Sequence, residues 1–256
     1  MIFLNKTVLI TGASSGIGKS CAYKFAEQKA NLILVARRKE RLLELQSDLE
    51  KKFNVKILIL ELDVRDKTKV DEILANIPES FSTIDILVNN AGLARGKDKI
   101  HEANWDDWEE MIDTNLKGLL AFTRAIVPGM VKRSSGHVIN IGSVAGHEPY
   151  PGGSVYNATK FGVKAFTYAM RMDLNGSGIR VSLIDPGSVE TDFSIVRFHG
   201  NIEQAKKVYE NFTPLTAEDI AETILWVASR PKHVNIQDII IMSTDQASAT
   251  INFKRS

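Results

Sequence analysis

Short β-branched runs alternate with longer stretches of helical period along nearly the whole chain, and that alternation leaves few folds open. Residues 8–11, 32–35, 57–62, 86–88, 138–141 and 181–184 are almost continuously apolar, the pattern of strands buried on both faces. Between them, residues 17–28, 40–52, 67–76, 105–132 and 155–175 repeat apolar side chains at helical spacing. Helices over 201–210 and 217–228 and a strand over 239–242 are expected to complete the chain. Strand followed by helix, repeated, predicts right-handed crossovers and a Rossmann-type doubly wound parallel α/β sheet of about seven strands. No repeat, linker or low-complexity tract divides the 256 residues, so one domain over 1–256 is expected.

Charge and cysteine use narrow the function classes. The 32 basic and 31 acidic residues leave a net charge of +1, which gives no footprint for nucleic acid or an anionic membrane. The single cysteine, Cys21, cannot form an internal disulfide and reads as a small apolar residue of the first helix. No apolar run approaches the ~20 residues of a membrane span. The first strand begins too early to leave room for a signal peptide, and a cytosolic location is expected.

The first strand runs into Thr11-Gly12-Ala13-Ser14-Ser15-Gly16-Ile17-Gly18, and a helix follows at once. Glycines there permit a tight turn and a close approach of a dinucleotide pyrophosphate, whose charge meets the free amides at the helix start. The second strand ends at Ala36, where an acidic residue would accept from a ribose 2′-hydroxyl, and Arg37 and Arg38 follow. Two guanidinium groups suit a 2′-phosphate, so the chain is expected to use NADP rather than NAD. Asp63 and Val64, ending the third strand, are placed to cover the adenine, and Asn89, Asn90, Ala91 and Gly92 to close the cofactor floor.

Tyr156 and Lys160 stand one turn apart on a helix face. A phenol has a pKa near ~10, and a neighbouring ammonium together with an oxidised nicotinamide favours its phenolate, which makes the pair a workable acid/base. Ser143 follows the strand over 138–141, at the end where ligands bind in such sheets. Asn115 lies inside the long helical segment, where a polar side chain can interrupt the helix and hold a water beside Lys160.

Taken together, the glycine turn, Asn89-Asn90-Ala91-Gly92, Asn115, Ser143, Tyr156, Lys160 and Pro186-Gly187 resemble the short-chain dehydrogenase/reductase family over nearly the whole length. The resemblance implies that Tyr156 is the general acid/base and that Ser143 binds the substrate oxygen. It implies that Lys160 lowers the tyrosine pKa and binds the nicotinamide ribose, while Asn115 holds a relay water. After Pro186 and Gly187, Val189 and Thr191 are then expected against the nicotinamide amide, within a substrate loop at about 188–212. Homotetramers are common in the family, and residues 246–253 are expected to reach a neighbouring subunit.

Residues 87–94, 146–156 and 193–200 resemble the family's NADP-dependent 3-hydroxy acid dehydrogenase branch. That implies a small-molecule substrate such as serine, allo-threonine or 3-hydroxypropionate, or the matching malonic semialdehyde. Arg197 is placed either to meet a substrate carboxylate or to serve as a structural or inter-subunit ion-pair partner. His147 and Glu148 either line the pocket or are exposed loop residues. A 3-oxoacyl carrier-protein reductase shares the same fold and tetrad, but wants a basic patch for which the sequence offers mainly Arg197, Lys206 and Lys207. A non-catalytic NADP-binding module would not need Ser143, Tyr156 and Lys160. No histidine and carboxylate group has metal-ligand spacing, and no metal is expected.

Overall fold

The computed structural model describes residues 2–255. Its main sheet contains β1 (Thr7–Thr11), β2 (Asn31–Ala36), β3 (Ile57–Glu61), β4 (Ile86–Asn89), β5 (Gly136–Ile141), β6 (Ile179–Pro186) and β9 (Asp238–Ile241). These seven strands run in the order β3-β2-β1-β4-β5-β6-β9, and every neighbouring pair is parallel. Two further strands, β7 (Val189–Glu190) and β8 (Leu215–Thr216), form a separate parallel pair above the main sheet's C-terminal edge.

Alternation along the central strands divides the core into two layers. Val8 and Ile10 of β1 and Leu32 and Leu34 of β2 face α1 (Gly16–Glu27), α2 (Lys39–Phe53) and α9 (Ala217–Ala228). Leu9 and Ile33 face the other way, toward α3 (Lys67–Ala75), α5 (Leu119–Lys132) and α6 (Ser154–Asp173). Both faces of the sheet are therefore covered, which is why its strands read as unbroken apolar runs. Cys21 is fully buried in the first layer, and burial pushes its thiol up, as expected of a packing residue.

The long helical segment after β4 departs from its expected continuity. It is α4 (Trp105–Ile112), one wide π turn over Asp113–Gly118, and then α5. The break falls on the predicted residue, because Asn115 spends its side chain on the neighbouring loop. The helix expected over 201–210 is shorter, as α8 (Ile202–Lys207), and β7, β8 and a five-residue α7 (Phe193–Arg197) were not anticipated. Among the described residues no helix is long and apolar enough to cross a membrane.

Two buried amides tie the sheet's centre to the helices below it. Asn89 Nδ2 donates to Asn140 Oδ1 at 2.9 Å and to Thr123 Oγ1 at 3.0 Å, and Asn140 Nδ2 donates to Thr167 Oγ1 at 2.9 Å. The network joins β4, β5, α5 and α6 just beneath the strand ends. Replacing Asn140 with Ala takes the acceptor from an Asn89 amide proton and the donor from the Thr167 oxygen, both of them buried. A loss of about 1–3 kcal/mol is expected in reversible denaturant unfolding, and unchanged stability would show that the network contributes nothing.

Candidate active site

The ends of β1 and β4, the point at which strand order reverses, are locked by one hydroxyl. Thr11 Oγ1 accepts from the amides of Asn90 and Ala91, each at 3.0 Å, while Asn90 Nδ2 donates to Thr11 O at 2.9 Å. The glycines exist to permit this closeness. Gly12 has φ +67°, and a Cβ there would lie 2.9 Å from Ala91 Cα. At Gly18 a Cβ would lie 2.5 Å from both Asn90 Nδ2 and Gly12 O. Gly18 itself does not line the cleft; it lets α1 sit low enough for the free amides at its start to do so.

Gly12, Ser14, Ser15, Gly16 and Ile17 form one wall of the resulting cleft. Arg37, Arg38, Asp63 and Val64 close one end, and Asn90, Ala91 and Gly92 lie along the floor. Arg38 donates from Nε and Nη2 to Ser14 Oγ at 3.1 and 2.8 Å, and from Nη2 to Ser15 Oγ at 2.7 Å. Burial, then the neighbouring Arg41 charge, holds it below the ordinary arginine value. Arg37 is more exposed, 3.8 Å from Asp63 and 3.7 Å from Glu110. Positive charge thus collects beside two serines and the start of a helix, a cradle for phosphate.

At the other end stand Ser143, Tyr156, Lys160, Pro186, Gly187, Val189 and Thr191. Ser143 stands two residues beyond β5, in extended backbone, and its Oγ accepts from the amide of Ala145 at 3.1 Å. Tyr156 and Lys160, on the first turns of α6, are both buried. Lys160 Nζ donates to Ile141 O at 2.9 Å. Burial pulls this ammonium down to about 8, against the opposing pull of Asp185. Burial also raises the Tyr156 phenol, countered by Arg197 and by the Ser143 hydroxyl. Lys160 was expected to lower that phenol. Its Nζ donates to a carbonyl and lies 5.8 Å from the ring centroid, while the Arg197 guanidinium is the foremost influence opposing the rise of the phenol.

Asn115 does not reach the cleft. Its Oδ1 accepts from Leu93 N at 2.8 Å, and its Nδ2 donates to Leu93 O at 2.8 Å and Thr159 Oγ1 at 3.1 Å. The side chain therefore has no amide proton left for the expected water; it holds the floor loop against α6. A model of the family described as short chain dehydrogenase matches residues 6–201. The chain belongs to the short chain dehydrogenase family.

This dehydrogenase has well-described relatives. An NADP-dependent 3-hydroxy acid dehydrogenase of Escherichia coli strain K12 is 47% identical over 97% of this chain and 99% of its own length. One of Schizosaccharomyces pombe is 46% identical over 98% of this chain and 97% of its own. The solved closed form of a serine dehydrogenase complexed with NADP+ superposes with a TM-score of 0.91 at 47% identity. That match covers 98% of this chain and all of the other.

For three side chains of the dehydrogenase the sequence left two settings open. His147 is turned away from the cleft, with Nε2 2.6 Å from Asp185 Oδ2 and Nδ1 2.7 Å from Lys164 Nζ, so it has no nitrogen to offer a substrate. Glu148 accepts from the amide of Ala249, pinning the C-terminal tail. Arg197 lies beside the site, its Cζ 5.2 Å from the Tyr156 ring centroid and its Nη2 donating to Tyr150 OH at 2.8 Å. Arg41, Arg95 and Asp185 escaped the sequence reading. Arg41 meets Asp192 across the cleft mouth at 3.1 Å, and Arg95 donates to Val196 O at 2.7 Å, latching α7. Charged residues on a helix face or a loop carry no signal of such partners.

The glycine packing can be checked directly. Gly18→Ala forces a methyl group into Asn90 and the Gly12 carbonyl, and overpacking of this kind costs about 1–3 kcal/mol. Thermal unfolding should show that loss together with weakened dinucleotide binding in a fluorescence titration; a variant with wild-type Tm and affinity would remove the close approach from the account.

Proposed function

We propose that this dehydrogenase uses NADP and acts on the 3-hydroxyl or 3-oxo group of a short hydroxy acid, of the serine, allo-threonine or 3-hydroxypropionate and malonic semialdehyde type. The observation that carries the substrate class is Arg197. Its Nε is buried without a hydrogen-bond partner while its guanidinium packs against the Tyr156 ring. A donor left unpaired beside the reacting phenol suits the carboxylate of a short acid whose oxygen is held at Tyr156. The names of the relatives favour the same class, and they favour it over a carrier-protein reductase.

The cleft fits NADP. The cradle of Gly12, Ser14 and Ser15 with the start of α1 suits the pyrophosphate, Arg38 and Arg37 suit the 2′-phosphate, and Ala36 removes the carboxylate that would oppose it. Bound NADP supplies or accepts the hydride. Tyr156 gives its proton to the substrate oxygen in reduction and takes it back in oxidation, while the Ser143 hydroxyl donates to the same oxygen. Lys160 holds positive charge beside the phenol and binds the nicotinamide ribose. Asn115 keeps the floor and α6 in register, and Val189 and Thr191 cover the nicotinamide amide.

Residues 188–212 are the substrate loop, latched by Arg95 and by the Gly96 amide donating to Arg197 O at 2.8 Å. The assembly is a cytosolic homotetramer. Trp105, Phe161 and Met172 leave apolar side chains exposed on α4 and α6, and Ile251 and Phe253 do so on the tail.

Two substitutions test the reading. Arg38→Ala removes charge-assisted contacts worth about 1.5–3 kcal/mol, so NADPH affinity should fall at least tenfold while NADH is nearly unaffected. Equal losses for the two nucleotides would assign the arginine to folding alone. Arg197→Lys cannot reproduce two parallel hydrogen bonds to a carboxylate. Its KM for 3-hydroxypropionate or serine should rise by about tenfold or more, with little change for an uncharged alcohol. If both substrates lose activity alike, the carboxylate is bound elsewhere.

A further inference from the structure

A line of charged side chains runs behind Ser143, on the side away from the cleft, and the reaction just proposed makes no use of it. Asp185, next to last in β6, is 1% exposed. Its Oδ1 accepts from the Ser143 amide at 2.7 Å, and its Oδ2 lies 2.6 Å from His147 Nε2. His147 Nδ1 in turn lies 2.7 Å from Lys164 Nζ. An ammonium can only donate, so Nδ1 accepts and the ring proton sits on Nε2, aimed at Asp185. The order of groups is thus ammonium, neutral imidazole, carboxylate and backbone amide.

A second feature of the sequence serves the same contact. Gly142, the residue before Ser143, has no Cβ, and one built there would collide with the Asp185 carboxylate and lie 3.0 Å from its Cγ. The carboxylate lies across the space that a side chain would fill. A carboxylate withdrawn from water is costly unless it is paired and hydrogen-bonded. Here two N–H donors, from the two ends of the turn that Ser143 opens and His147 closes, converge on it.

We propose that Asp185 is the positioning residue for Ser143, acting through the Ser143 amide and itself oriented by His147 and Lys164. With its N–H tied to Asp185 and its Oγ accepting from the Ala145 amide, Ser143 is held at both ends. Its hydroxyl donates only across 3.5 Å to Pro186 O, so its proton can turn to a substrate oxygen in the cleft. The inference rests on the reading that Ser143 binds the reacting oxygen. Other charged or titratable groups face the carboxylate. Asp238 on β9, which accepts from Tyr168 at 2.5 Å, raises it, and Lys160 and Tyr156 lie on its α6 side. Burial lifts the Asp185 carboxyl to about 6, even against the hydrogen bond from His147. The clamp therefore releases as pH falls through that value.

The test compares Asp185→Asn, Gly142→Ala, His147→Leu and Tyr156→Phe in the full chain. NADPH and malonic semialdehyde are the substrates, and kcat is followed from about pH 5 to about pH 8. Asp185→Asn and Gly142→Ala should lower kcat about 10- to 100-fold, the scale of a misplaced reacting group, with NADPH affinity within about twofold of wild type. Wild-type kcat should fall on the acid side of about 6; that limb should vanish in Asp185→Asn. In His147→Leu it should move to higher pH, because a donor that lowers the carboxyl pKa is gone. This variant decides the matter if Asp185→Asn does not fold. Unchanged kcat in Asp185→Asn and Gly142→Ala, or lowered stability with the acid limb unmoved, overturns the proposal. Tyr156→Phe separates it from the reading beneath: if that variant still turns over, the proposed chemistry itself fails. If it is inactive while Asp185→Asn behaves as wild type, only the role of Asp185 is lost.

Discussion

Burying the ammonium of Lys160 sets the terms for everything around it. A cation 7% exposed must find acceptors and a countercharge or lose its proton. The acceptor is Ile141 O, at the end of β5, and the nearest negative charge is Asp185, at the end of β6. Those two strand ends are adjacent in register, Ile141 opposite Ile184. So α6 has to descend onto this corner of the sheet and no other. Gly146 allows it to do so, since a Cβ there would lie 2.8 Å from Lys160 O. Tyr156, one turn earlier on the same helix, is carried to the cleft by the same packing, and Ser143 is fixed by the turn that α6 rests on.

The wide turn at Asn115 belongs to the same arrangement. An extra residue in that helical turn lets the Asn115 amide face both backbone groups of Leu93 and reach Thr159, beside Lys160. The loop after β4 is thereby joined to α6. Gly92 runs close enough that a Cβ would lie 3.3 Å from Asn115 Oδ1 and 3.7 Å from Lys160 Nζ. The floor loop, the wide turn and α6 are one packed unit.

Much of this is written locally in the sequence. The strands are legible because a parallel sheet covered on both faces demands unbroken apolar runs, and the glycine turn because its backbone permits nothing larger. Tyr156 and Lys160 are legible because helical period places them together. The remainder depends on partners distant in the chain. Strands as short as Val189–Glu190 and Leu215–Thr216 have too few residues to show a period. A histidine four residues after Ser143 looks like a pocket residue until Asp185 and Lys164 are seen to occupy both its nitrogens. Arg38 reads as one member of a charge run, and only the fold brings it onto Ser14 and Ser15. Asp185 is hidden most completely, because a carboxylate near the end of a strand gives no sign that the glycine just past the neighbouring strand was kept small for it.

Arg197 and Asp185 flank the Tyr156–Lys160 pair with opposite charges, and they act on it unequally. Asp185 supports the ammonium of Lys160 and opposes the phenolate of Tyr156, whereas Arg197 favours the phenolate. On the proposed function, a substrate carboxylate that pairs with Arg197 cancels much of the charge favouring ionisation, and the phenol is then held more firmly in its protonated form. A semialdehyde acid arriving for reduction thus strengthens the proton's hold on the group that must deliver it. A hydroxy acid arriving for oxidation works against the base that it needs. The asymmetry comes from the charge of the substrate itself, so it is absent for a neutral alcohol. The arginine that would recognise the acid thereby also ties its binding to the protonation state of the group that reacts with it.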